Sequence, residues 1–283
     1  MMDRKATARE TLEILKEGAY QYHGVRIDIQ ELQQHSVKGS RLYTPEQGEA
    51  LLEKYRAGKC GGACPCTVEN ISTVDAILAM AAEGADRRGV LNFASSKNPG
   101  GGFINGAMAQ EESLAASGGL YKTLTVNEGY YRANRACGTM IYTDHAIYSP
   151  DVVFFRDGGF RLLETPVTAS VLTLPAVNMG QVILKGEDQT LAEQAMKRRM
   201  ELALALFAEN GDRNLVLGAY GCGVFRNDPV KIAAWWRELL ESGYGRYFDR
   251  IVFAVLDRTG KQQCIRAFET EFAGTYQTSM STK

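Results

Sequence analysis

Two adjacent glutamates, Glu111 and Glu112, stand shortly after three consecutive glycines, Gly100 to Gly102, with Gln110 directly before them. The glycines leave a short apolar run, Val90 to Ala94, which reads as a strand. Glycine lets a ligand press on the backbone because no Cβ intervenes. A helix beginning near Ala109 puts both glutamates in its first turn. Adjacent helical residues point about 100° apart, so the two carboxylates serve different tasks. One could hold a sugar hydroxyl while the other reaches a glycosidic oxygen, since glycoside cleavage needs a carboxylic acid that protonates the leaving oxygen. Taken alone, a Glu-Glu pair is more simply a complement to a helix macrodipole. Beside a triple glycine leaving a strand, the chemical reading is the stronger one.

A second loop with chemical potential follows Leu217. It contains Gly218, Gly221, Cys222, Gly223, Val224 and Phe225, and ends at Asp228-Pro229, where a helix starts. Free backbone N–H groups at such a turn make a diphosphate cradle, and Phe225 could stack on a sugar or base. The spacing does not fit the dinucleotide fingerprint Gly-x-Gly-x-x-Gly. Cys222 has no neighbouring base in the sequence and reads as a residue chosen for size rather than as a nucleophile.

These loops need strands to leave from. Ser170–Leu174, Asn214–Leu217 and Ile251–Leu256 are further apolar runs bounded by loop residues. Between them lie helical patterns: Val74, Ile77, Leu78 and Ala81 after a cap at Ser72; Met196, Met200, Ala203 and Phe207 closed by Asn210-Gly211; and Trp235, Trp236, Leu239 and Leu240 after Asp228-Pro229. Continuous apolar strands alternating with helices describe an α/β sheet, mostly parallel and covered on both faces. In such a sheet ligands bind beyond the carboxyl ends of the strands, where both glycine loops lie. Residues 1–66 read as a helical extension packed on the core. One helix carries Leu12, Leu15 and Ala19, and a second is announced by Thr44-Pro45-Glu46-Gln47, an N-terminal capping signature. Residues 67–275 form the expected core, and 276–283 a disordered tail.

The chain has 283 residues, a formal net charge of −1 and 45% hydrophobic residues, which describes a globular protein with no global basic field for DNA. No apolar run is long enough to span a bilayer, and the polar N-terminus lacks a signal-peptide core, so a cytoplasmic location is expected. Cys60, Cys64 and Cys66 cluster, but their spacing fits no common zinc knuckle and the three histidines lie far away in sequence, so no metal is expected. Asp144-His145 reads as a packed structural pair, and Trp235-Trp236 as core with a half-buried flank.

The run Gly100-Gly101-Gly102, seven residues, then Gln110-Glu111-Glu112 resembles the signature of poly(ADP-ribose) glycohydrolases. Asn92 to Ala107, Tyr142 to His145, Ser149 to Val152 and Gly218 to Pro229 resemble the bacterial-type branch, as does the segment Ala8 to Leu15. The resemblance implies a macrodomain-like fold, three layers α/β/α with a mixed sheet, and exo-hydrolysis of poly(ADP-ribose) to ADP-ribose without cofactor or metal. It implies Glu112 as catalytic acid and Glu111 as the partner that holds ribose hydroxyls. Gly100 to Gly102 and Gln110 would approach the distal ribose and diphosphate, and Gly221 to Phe225 would form a second diphosphate loop. Ser95 stands where longer relatives carry an asparagine, which leaves Asn98 or Asn92 to supply that amide. The expected partners are poly(ADP-ribose) and ADP-ribosylated proteins, met by a monomer. Two rivals are a hydrolase of mono-ADP-ribosylated proteins and a module that reads ADP-ribose without cleaving it; the second has no need of Glu112.

Overall fold

The computed structural model describes residues 3–57, 62 and 64–274. Among them, seven strands form one sheet in the order β3-β6-β7-β5-β8-β9-β4. These are β3 (Arg41–Tyr43), β4 (Cys66–Glu69), β5 (Arg88–Ala94), β6 (Ala146–Arg156), β7 (Leu162–Pro175), β8 (Asn214–Leu217) and β9 (Arg250–Ala254). From β7 to β4 every neighbour is parallel, while β6 runs antiparallel to both β7 and β3. The expected mixed, mostly parallel sheet is present. Its strands bury both faces, with Leu91, Leu172, Leu215 and Ile251 in one core and Val90, Val171, Val216 and Val252 in the other. That two-residue alternation makes a strand apolar without a break, the pattern of a sheet covered on both sides.

The first core lies under α3 (Pro45–Ala57), α8 (Met179–Lys185), α9 (Gln189–Asn210), α10 (Pro229–Leu239) and α11 (Gln263–Glu271). The second lies under α4 (Thr73–Ala82), α5 (Gln110–Ser117), α6 (Leu120–Thr125) and α7 (Glu128–Ala136). The punctuation read from the sequence sets the helix ends. Ser72 accepts from the Asp75 N–H, Asp228 caps α10 ahead of Pro229, and Gly211 closes α9 in the left-handed conformation at φ 78°. Thr44 and Gln47 bond reciprocally at the start of α3, at 2.9 and 3.4 Å. Trp236 is fully buried and Trp235 half-buried.

The segment before residue 66 differs from its reading. Helix α1 (Arg4–Glu17) ends at Gly18, φ 69°, so Ala19 opens a strand instead of extending the helical face. β1 (Ala19–Tyr22) and β2 (Val25–Asp28) make a separate hairpin, and α2 (Gln30–Gly39) follows. β3 then joins the edge of the main sheet, and Leu52 and Tyr55 of α3 enter its core. The sheet therefore crosses the boundary expected at residue 66. A three-residue edge strand is too short to show a period, and of this segment only α1 and α3 are evident in the sequence. Cys60 and the tail 276–283 lie outside the described residues. Among the described residues no helix is long and apolar enough to cross a membrane, and no group of three His, Cys, Asp or Glu is placed to hold a metal.

Asp212, two residues before β8, is buried and accepts from Tyr148 Oη at 2.9 Å. Burial pushes its carboxyl from the ordinary 3.8 up to about 7, against the opposing hydrogen bonds of Tyr148 and Ser170. The folded state thus holds a proton that the unfolded chain releases. The stability this contributes is complete below the unfolded pKa and is lost as pH rises through about 7. Asp212→Asn mimics the protonated form, so it should melt like the parent in acid and at least ~2 °C above it at alkaline pH. A melting difference that does not change with pH would contradict the buried-acid account.

Candidate active site

β5 and β8 are paired neighbours, and both glycine loops leave their carboxyl ends. The loops touch at their bases, where the rings of Phe93 and Tyr220 lie 5.6 Å apart. In the first loop Gly100 and Gly101 take left-handed backbone at φ 67° and 59°. A Cβ on Gly101 would stand 2.3 Å from Glu112 Oε1 and 3.2 Å from Glu111 Oε2. The glycine is therefore wedged against both carboxylates, and the expected close approach is first of all to the protein's own acids.

The two glutamates do diverge. Glu111 turns inward and is only 3% exposed. Its Oε2 accepts from the Ser95 N–H at 2.6 Å and its Oε1 from Asn92 Nδ2 at 3.3 Å. Burial pushes its carboxyl up to about 8, the Ser95 and Asn92 donors oppose that, and the neighbouring Glu112 charge adds to it. Glu112 stays half-exposed, with Oε1 accepting from Gly102 N–H at 2.9 Å and Oε2 from Ala109 N–H at 3.1 Å. Those bonds lock its rotamer at the helix start and leave a lone pair on each oxygen for a proton.

Gln110 was expected among the substrate contacts, but its carboxamide is committed to the scaffold. Oε1 accepts from Phe93 N–H at 2.9 Å, and Nε2 donates to Leu91 O at 2.8 Å and Thr73 Oγ1 at 3.3 Å. The side chain imitates a strand alongside β5 and registers α5 against it. Asn92, one of two candidates for a ribose amide, is wholly buried and supports Glu111 and Thr173 instead. The other, Asn98, is exposed and its side chain is uncommitted among the described residues. Ser95 Oγ accepts from the N–H groups of Lys97 and Asn98 and shapes the turn.

The second loop is rigid at its ends and open at its tip. Gly221, φ 74°, has no room for a Cβ, which would meet Asn227 Nδ2 at 2.6 Å and Ala176 at 2.7 Å. Asn227 Nδ2 donates to Val177 O and Gly221 O, and Gly180 N–H donates to Phe225 O. Among the described residues the backbone N–H groups of Gly223, Val224 and Phe225 donate to no protein acceptor, three successive donors free for an anion. Val224 is 83% exposed. The half-buried Phe225 ring lies 6.2 Å from that of Tyr142, whose left-handed backbone, φ 63°, leaves no signal in the sequence. Burial raises the Cys222 thiol well above its ordinary range, which suits packing and not nucleophilic attack. Asp144 pairs with Arg198 and Arg199, and His145 Nδ1 bonds Thr143 Oγ1, a structural arrangement as expected.

Comparison with known proteins matches this geometry to one family. The family model described as "Microbial-type PARG, catalytic domain" matches residues 8–157. The poly(ADP-ribose) glycohydrolase (PARG) of Thermomonospora curvata is 38% identical, with 95% of this chain and 99% of that one covered and a TM-score of 0.90. Its complex with the inhibitor ADP-HPD superposes with a TM-score of 0.88 at the same identity and coverage. The Deinococcus radiodurans enzyme in complex with ADP-ribose is 42% identical over 85% of this chain and 97% of that one, with a TM-score of 0.80. A comparison with curated proteins found no match. The inward Glu111, the locked Glu112 and the two glycine loops thus sit on a fold shared almost end to end with these enzymes, and the chain belongs to the microbial-type poly(ADP-ribose) glycohydrolases, a family of glycosidases.

Proposed function

We propose that a terminal ADP-ribose unit lies across both loops, with its diphosphate on the free N–H groups of Gly223 to Phe225 and its distal ribose against Gly100 to Gly102. The observation that carries this reading is the division of labour between the carboxylates, one buried and the other half-exposed with its rotamer fixed by two backbone donors. Protonated Glu112 donates its proton to the 2′-oxygen of the leaving ribose as the glycosidic C–O bond breaks. An oxocarbenium-like ribose forms; water adds to it and gives a proton to Glu112, which restores the acid and releases ADP-ribose. Glu111, whose carboxyl burial pushes up to about 8, holds the ribose hydroxyls without placing a full charge next to the acid. Asn98 is the remaining candidate for an amide contact to ribose. The setting proposed is a cytoplasmic monomer acting on poly(ADP-ribose) or ADP-ribosylated proteins.

The proposed action is exo. A net charge of −1 offers no long basic track for the polymer, so binding centres on one terminal unit. Helix α1 packs on the first loop and α5, through Ala8, Phe103 and Ala115. Labelled polymer incubated with the protein should yield ADP-ribose monomer from the earliest time points while long chains shorten gradually. An early burst of oligomers would overturn exo action, and release from mono-ADP-ribosylated protein with intact polymer would move the activity to the rival hydrolase.

A further inference from the structure

The leaving group in this reaction is more than a hydroxyl. Its 2′-oxygen belongs to a ribose that also carries, on the 5′-carbon, the diphosphate of its own unit. The side of Glu112 that receives the leaving group therefore meets two phosphates one sugar away from the carboxyl.

Helix α1 brings two cations beside Glu112. Arg4 shares a small cavity with Glu112, walled by Phe103, Ala107 and Met108 of the first loop. A Cβ on Gly106 would stand 3.1 Å from Lys5 Cγ and 3.5 Å from Arg4 Cβ, so the first turn of α1 lies directly on that loop. Arg4 precedes Thr7, Ala8 and Thr11 by three, four and seven residues, and those three are buried; Arg4 continues their face toward the site. The helix is fixed in place, since Thr11 Oγ1 donates to Ala116 O at 2.7 Å and Glu10 pairs with the buried Arg156 at 2.7 Å. Asp3 spends its carboxylate on the Lys5 and Ala6 N–H groups. Arg4 and Lys5 themselves are exposed and have no ion pair or side-chain hydrogen bond among the described residues.

We propose that Arg4 and Lys5 form a phosphate subsite for the unit on the leaving side of the scissile bond. The assignment rests on the glycohydrolase reading above. It makes the enzyme prefer a leaving group with phosphates over one without, and it gives the N-terminal helix a direct part in substrate choice.

Two substrates with the same scissile bond test it: ADP-ribosyl-(1″→2′)-ADP-ribose, and ADP-ribosyl-(1″→2′)-adenosine, which lacks the leaving-side phosphates. The wild-type protein should favour the first by about tenfold in kcat/KM, mainly through KM, with the preference shrinking as salt rises. In the double variant Arg4→Gln/Lys5→Gln that ratio should fall close to one, and Arg4→Lys alone should keep most of it. A wild-type ratio near one, or a ratio unchanged in the double variant, overturns the subsite while leaving the hydrolase reading intact. If the wild type cleaves neither compound, the hydrolase reading falls and the subsite with it.

Discussion

Glu112→Gln should lower polymer turnover by at least ~10²-fold, the ordinary scale of a lost general acid, while ADP-ribose binding changes little. The amide preserves shape, and its single oxygen can still accept from one of the Gly102 and Ala109 N–H groups that hold the carboxylate. What it cannot do is donate a proton to the leaving oxygen and recover one from water. Single-turnover hydrolysis and calorimetry separate the two effects. A variant that retains near-full hydrolysis would remove Glu112 from the acid role.

Gly101→Val should lose at least ~10²-fold in turnover as well, for a different reason. Its Cβ would fall 2.3 Å from Glu112 Oε1, so either the loop or the acid must move before any ligand arrives. The backbone at φ 59° is also unfavourable for a β-branched residue, and the fold should give up about 1–2 kcal/mol. Gly186→Val supplies the control, since Gly186 has the same left-handed backbone, φ 67°, with nothing within 4 Å of its Cβ. It should lose comparable melting temperature and keep its hydrolysis. Equal activity in the Gly101 and Gly186 variants would refute the wedge.

The sheet and its flanking helices were legible where several independent signals agree. β8 is buried throughout and carries three consecutive apolar residues after Asn214, and α9 carries both a periodic face and a closing Asn-Gly. β3 and β4 are short, partly exposed edges with no period to display. β6 is interrupted by Pro150 and Asp151 at an irregularity in its pairing with β7, which hides an otherwise buried strand. At the site, the glycines and the two acids announce themselves because few other uses join those residue types at that spacing. The work of Gln110 and Asn92 was not legible. Their partners are backbone groups and a buried carboxyl, and a sequence does not show which way an amide turns.

The outer strand β4 has a temporal consequence. Among the described residues it pairs only with β9, across roughly 180 residues of intervening chain. At ~5–20 residues per second a ribosome needs on the order of ten seconds or more to deliver that partner. Until then the β4 edge and the thiols of Cys64 and Cys66, which are buried in the finished fold, remain open to solvent. Vulnerability to oxidants and to edge-to-edge association thus belongs to the nascent chain, and the arrival of β9 ends it.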